Sequence, residues 1–91
     1  MPRSSLFRVF MGLREPNGIT GLQTRMARAG LRWSLSDAAE HANIGRTSVA
    51  RIEADVQTNP ATIAALRRAF EKAGVEFIED YGVHIRKVQK P

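Results

Sequence analysis

At 91 residues the chain has room for one domain, whose core buries little more than ~60% of the unfolded surface and would gain from a partner covering more. It has no cysteine, which excludes disulfides and thiolate metal sites, and its two histidines, His41 and His84, stand apart, so neither metal nor cofactor is expected. Lys and Arg outnumber Asp and Glu by 14 to 9, a net charge of +5 with a pI near 10.8; such a balance is the electrostatic footprint of a nucleic-acid-binding domain.

Residues 1–18 have no clean period. Leu6, Phe7, Val9, Phe10, Met11 and Leu13 form an apolar cluster interleaved with Arg3, Arg8 and Arg14, and Glu15-Pro16-Asn17-Gly18 breaks it with strong turn signals. This segment is read as an N-terminal arm, disordered or packed on a partner. No segment reads as a signal peptide or a membrane span, which points to a soluble, cytoplasmic chain.

From Thr20 the pattern is helical. Leu22, Met26 and Ala29 share one face of the first predicted helix, and Arg25, Arg28 and Arg32 line another. Three like charges on one stripe repel and call for anions, either carboxylates of the fold or phosphates outside it. Ser34 opens the second helix as N-cap, with Asp37 three residues on completing a variant capping box. Leu35, Ala38, Ala39 and Ala42 mark its buried face, and Trp33 is read as a core anchor. Asn43 stops it, since asparagine tolerates the left-handed backbone of a tight turn, and Ile44 plugs that turn.

Gly45 is an acceptable N-cap for the third helix. Val49 and Ile52 point inward there and leave Arg46, Thr47, Ser48 and Arg51 outside. Asn59-Pro60 opens the fourth helix, Ile63, Leu66, Phe70 and Ala73 carry its inward face, and Gly74 closes it. Arg67, Arg68 and Lys72 are read as its solvated face. Val75 to Ile78 and Val83 to Val88 then alternate as strands around a turn at Glu79-Asp80-Tyr81-Gly82, a terminal β-hairpin. A lone hairpin is marginal, so it must pack on the helices or pair with another chain.

Residues 20–73 resemble the Xre/Cro-type helix-turn-helix domains of bacterial and phage repressors. The likeness rests on Arg28 in the first helix, Ser34 opening the second, Ala39 within it, the small turn at Asn43-Ile44, and Arg51-Ile52-Glu53 ending the third. It departs at Leu35, where many members carry a phosphate-binding glutamine, at Trp33, usually a smaller aliphatic residue, and at Asn43, usually glycine. The fold implied is mainly α: a lambda-repressor-like bundle of about four helices followed by a C-terminal β-hairpin. Its divisions are the arm at 1–18, the DNA-binding domain at 19–74, and the hairpin and tail at 75–91 as a dimerisation element.

By the same resemblance Arg28 and Glu53 form a structural ion pair. Arg46, Thr47 and Arg51 fall on base-reading positions, where arginine can grip guanine bidentately and threonine can meet thymine or either edge. Ser34, Ser48, Arg25 and Arg32 fall near the DNA backbone. The implied protein is a transcription regulator, a repressor or autoregulator, binding double-stranded DNA as a homodimer on an inverted repeat with half-sites ~10 base pairs apart. The rival is a protein-interaction module, antiactivator or antitoxin-like, that keeps the fold and binds a protein partner; Leu35 and the apolar arm favour it, the donors on the third helix oppose it. No grouping of nucleophile, base and orienting residue is visible, so an enzyme is not expected.

Overall fold

Three of the four described helices begin where a local side chain satisfies orphan backbone groups of the first turn. The structure, a computed structural model, is described over residues 18–86; the arm, apart from Gly18, and the tail beyond Arg86 lie outside the described residues. Helix α1 (Gly21–Leu31) follows Thr20, whose hydroxyl accepts from Gln23 N while the Gln23 side chain accepts from Thr20 N, a full capping box. Helix α2 (Leu35–Ala42) follows Ser34 and its reciprocal box with Asp37, and stops at Asn43 in the left-handed region, φ 58° and ψ 46°. Helix α3 (Arg46–Glu53) opens at Gly45 with no side-chain cap. In helix α4 (Pro60–Lys72) the Asn59 side chain accepts from Ala61 N and proline occupies the first turn. Gly74, at φ 105°, then turns the chain out of the helix.

Strands β1 (Val75–Ile78) and β2 (Gly82–Ile85) make an antiparallel hairpin in which Val75 pairs with Ile85, Glu76 with His84, Phe77 with Val83 and Ile78 with Gly82. The second strand therefore starts at Gly82, a residue earlier than its hydrophobic pattern indicates; its expected extension to Val88 lies outside the described residues. Val75, Phe77, Val83 and Ile85 face the helices and join the core, while Glu76 on the other face stands 3.5 Å from both His84 and Arg86. The architecture among the described residues is thus mainly helical, four helices followed by a hairpin. No described helix is long and apolar enough to cross a membrane.

The core gathers Ile19, Ala27, Leu31, Trp33, Ala38, Ala39, Val49, Ile52, Leu66, Phe70, Ala73 and Val75, with Leu35, Ala42, Ile44 and Ile63 packed at its edge. Trp33 lies between His41, stacked on it at 4.1 Å between centroids and 4° between planes, and Phe70 at 5.6 Å. Trp33 and His41, with Ala69, Lys72 and Ala73, line a shallow pocket of about 150 Å³.

The apolar stripe Leu22, Met26 and Ala29 lies largely outside the core: Leu22 and Ala29 are exposed and Met26 half-buried, whereas Gln23, Thr24 and Ala27 are among the buried residues of α1. The cause is the hairpin. Gln23 Nε2 donates to the carbonyls of Glu79 (2.9 Å) and Gly82 (3.0 Å), and the Thr20 hydroxyl donates to Asp80 O at 2.7 Å, so the polar first turn of α1 must face inward to meet the hairpin turn. Gly30 lets the same face lie against Ile85, because a Cβ there would come within 2.9 Å of that side chain. Arg67, in turn, is not a solvated side chain. It pairs with Glu71 at 2.9 Å, donates to Gly18 O at 3.0 Å and stands over the Phe77 ring at 5.2 Å, tying α4 to the start of the described chain and to β1.

Candidate nucleic-acid interface

Val49 and Ile52 are 0% and 3% exposed, and their burial fixes the rotation of α3 about its axis. Thr47 and Arg51 are exposed on the opposite side, Arg46 is exposed at the helix opening, and Ser48 is half-buried in the first turn. Arg51 reaches Gln57 O at 3.4 Å, a long contact that leaves most of its guanidinium in solvent. Arg46 and Thr47 have no side-chain hydrogen bond among the described residues.

The openings of α2 and α3 differ. At α2 the box is closed: Ser34 Oγ accepts from Asp37 N at 3.0 Å and Asp37 Oδ2 accepts from Ser34 N at 2.9 Å. The Ser34 backbone N–H first, and its hydroxyl second, hold the Asp37 carboxyl below its ordinary range. At α3 the box is absent. Gly45 supplies no side-chain cap and no acidic residue stands in the first turn, so no carboxylate or hydroxyl offsets the positive end of the helix dipole there, although Ser48 N–H and Val49 N–H donate to Gly45 O. Arg46, at the first position of α3, adds a full charge to the partial one of the dipole, and Arg51 carries a second in the last turn.

The base of α3 is held by α1. Arg28 Nε donates to Glu53 Oε2 and Nη2 to Glu53 Oε1 at 3.2 Å, while Nη1 donates to Trp33 O at 3.0 Å. The carboxylate raises the Arg28 pKa above its ordinary value, through the hydrogen bond first and its charge second. Arg25 Nη1 donates to the backbone carbonyl of the same Glu53. Gly21 N donates to Asp55 Oδ1 at 2.9 Å, and a Cβ on Gly21 would collide with Glu53 O. Of the arginine stripe on α1, therefore, Arg28 and Arg25 meet an anion and a carbonyl within the fold. Arg32, the left-handed C-cap at φ 61°, is exposed beside Trp33.

Sequence reasoning missed Gln23, Gly21 and Asp55. For Gln23 a signal existed, since Thr20-Gly21-Leu22-Gln23 is itself a capping-box pattern. For Gly21 and Asp55 none did, because their roles depend on the distance between two helices. Among the described residues no group of three or more His, Cys, Asp or Glu side chains could hold a metal ion. No model of a known protein family matches the chain, and no curated protein matches it.

Proposed function

We propose that this is a sequence-specific DNA-binding regulator of the Xre/Cro helix-turn-helix type, acting as a repressor or autoregulator in the cytoplasm. The observation that carries the reading is α3: its inner face is locked by Val49 and Ile52, while Arg46, Thr47 and Arg51 stand on the outer face beside an uncapped N-terminus. Such a helix can enter a major groove with its first turn toward phosphate and its arginines toward base edges. Arg32, Ser34 and Ser48 flank it as backbone contacts. The net charge of +5 supports approach to a polyanion. The protein binds as a two-fold dimer, and the hairpin, with Ile78 50% and Tyr81 72% exposed, is the element that pairs.

The test is a fluorescence-anisotropy titration with DNA from upstream of the protein's own gene, beside scrambled DNA, at several salt concentrations. Preference for the native DNA that survives added salt supports a sequence reader, and Arg51→Ala should then lose about 1–3 kcal/mol of specific binding at one base position. Equal binding to both, falling steeply with salt, leaves only a basic surface and turns attention to a protein partner. One observation favours that second reading: the exposed large hydrophobics Leu22, Val56, Ile78 and Tyr81 each lie next in sequence to, or within two residues of, a group hydrogen-bonded to the opening turn of α1. An apolar rim at one end of a small domain is a surface a protein can cover.

A further inference from the structure

A helix ends with carbonyls that its own backbone cannot satisfy. In α3 the last four are those of Ala50, Arg51, Ile52 and Glu53. Ala54 N donates to Ala50 O at 3.1 Å, Val56 N to Arg51 O at 2.9 Å and Asp55 N to Ile52 O at 3.0 Å. Among the described residues Glu53 O has no backbone donor of this kind, and Arg25 Nη1 fills the place from α1. The cation also meets the negative end of the α3 dipole, where it is favoured.

We infer that Arg25 is a positioning residue for the DNA-reading helix, fixing the end of α3 through its last carbonyl, and is not a phosphate ligand. Arg25 and Arg28, three residues apart on α1, grip the main chain and the side chain of one residue, Glu53. Gly21 brings the backbone of α1 against the same carbonyl, and its N–H anchors Asp55, which bends the chain away at φ 58°. The end of α3 is thereby held at three points by one helix. Loosening the Arg25 point lets α3 tilt about the other two, which blurs the register of Arg46, Thr47 and Arg51 against base edges while leaving the charge contacts of the surface in place.

The inference rests on the DNA-binding reading, and two measurements on Arg25→Met and Arg25→Lys in the full chain separate the two. Without DNA, amide exchange of Ala54, Asp55 and Val56 is followed by NMR. It should speed up about tenfold in Arg25→Met, the opening expected for loss of one charge-assisted hydrogen bond, and less in Arg25→Lys, which keeps a donor and a charge. Unchanged exchange in the methionine variant overturns the inference; if that variant does not fold, the lysine variant decides in the same way, since its ammonium lacks the planar fork. With DNA, the ratio of native to scrambled affinity should fall in Arg25→Met while the dependence of log affinity on log salt keeps its slope. A slope reduced by about 0.9 with the ratio intact marks a phosphate contact and also overturns it. A wild-type protein with no preference for native DNA rejects the DNA reading instead, and the exchange measurement alone then decides the role of Arg25.

Discussion

Gln23 and Gly82, 59 residues apart in the chain, are joined by a 3.0 Å hydrogen bond from the side-chain amide to the backbone carbonyl. Gln23 is 1% exposed. Its amide group uses both ends: the oxygen accepts from Thr20 N at 3.0 Å, and the nitrogen donates to Glu79 O as well as Gly82 O. One side chain therefore starts α1 and closes the turn of the hairpin. The hairpin, marginal alone, is built onto the helical bundle through this amide. Gln23→Leu fills the same space and leaves the two carbonyls without their donor. It should cost about 1–3 kcal/mol in urea unfolding, with the hairpin amides exchanging faster than those of α3. A loss spread evenly over the domain would show that the hairpin does not depend on this contact.

The helix boundaries were legible because capping is local. Ser34 with Asp37, Asn43, Gly45, Asn59-Pro60 and Gly74 each act within one turn of the residue that needs them, and the inner faces of α2, α3 and α4 follow apolar spacing. The inner face of α1 was not legible. Its polar residues turn inward because three carbonyls of the hairpin turn, far along the chain, need donors. Apolar periodicity ranks Leu22 above Gln23 and cannot register such a demand. The outer face of α3 was readable as the complement of Val49 and Ile52, whereas the partner of Arg25, a carbonyl, carries no side-chain signature at all.

Arg28 and Glu53 sit 24% and 12% exposed, neither free in water nor fully buried. Removing one partner strands the other in this half-dry position, and Arg28→Ala or Glu53→Ala should each cost about 2–3 kcal/mol, at or below the lower end of the range for buried pairs. The double variant should lose clearly less than the sum, by about 1 kcal/mol or more, since neither charge is then left over. Additive losses in a chemical-denaturation cycle would reduce the pair to two independent contacts.

Trp33 is the sole tryptophan, so its emission reports on one place. The His41 ring covers it in a nearly parallel stack, and Phe70 lies on it from the core. His41→Ala removes the cover and widens the pocket beside Lys72. The emission maximum should shift to the red, and stability should drop by about 0.5–1.5 kcal/mol, the usual worth of an aromatic pair beyond its area. Phe70→Leu should cost more, because that residue is wholly buried. An unshifted spectrum in His41→Ala would mean that water reaches Trp33 regardless of the imidazole.

Asp37 joins helix capping to the proposed DNA contact. Hydrogen bonds from Ser34, first through its backbone N–H and then its hydroxyl, lower the carboxyl pKa from its ordinary 3.8. Folding lowers the value, so the stabilisation it brings is complete above the unfolded value and fades as pH falls through the lower folded one. A carbon-detected titration of Asp37 should have its midpoint below 3.8, and Ser34→Ala, which costs about 1 kcal/mol as a lost N-cap, should move that midpoint upward. A wild-type midpoint at or above the ordinary value would mean that the box does not persist in solution. The same carboxylate puts a negative charge at the opening of α2, where the helix-turn-helix reading places a DNA phosphate beside Ser34. Asp37→Asn keeps an oxygen acceptor for the cap and deletes the charge. It should strengthen binding to native and scrambled DNA alike if α2 meets the backbone there, because phosphate repulsion is indifferent to sequence. Unchanged affinity on both would place the opening of α2 away from phosphate and leave α3 to carry the interface.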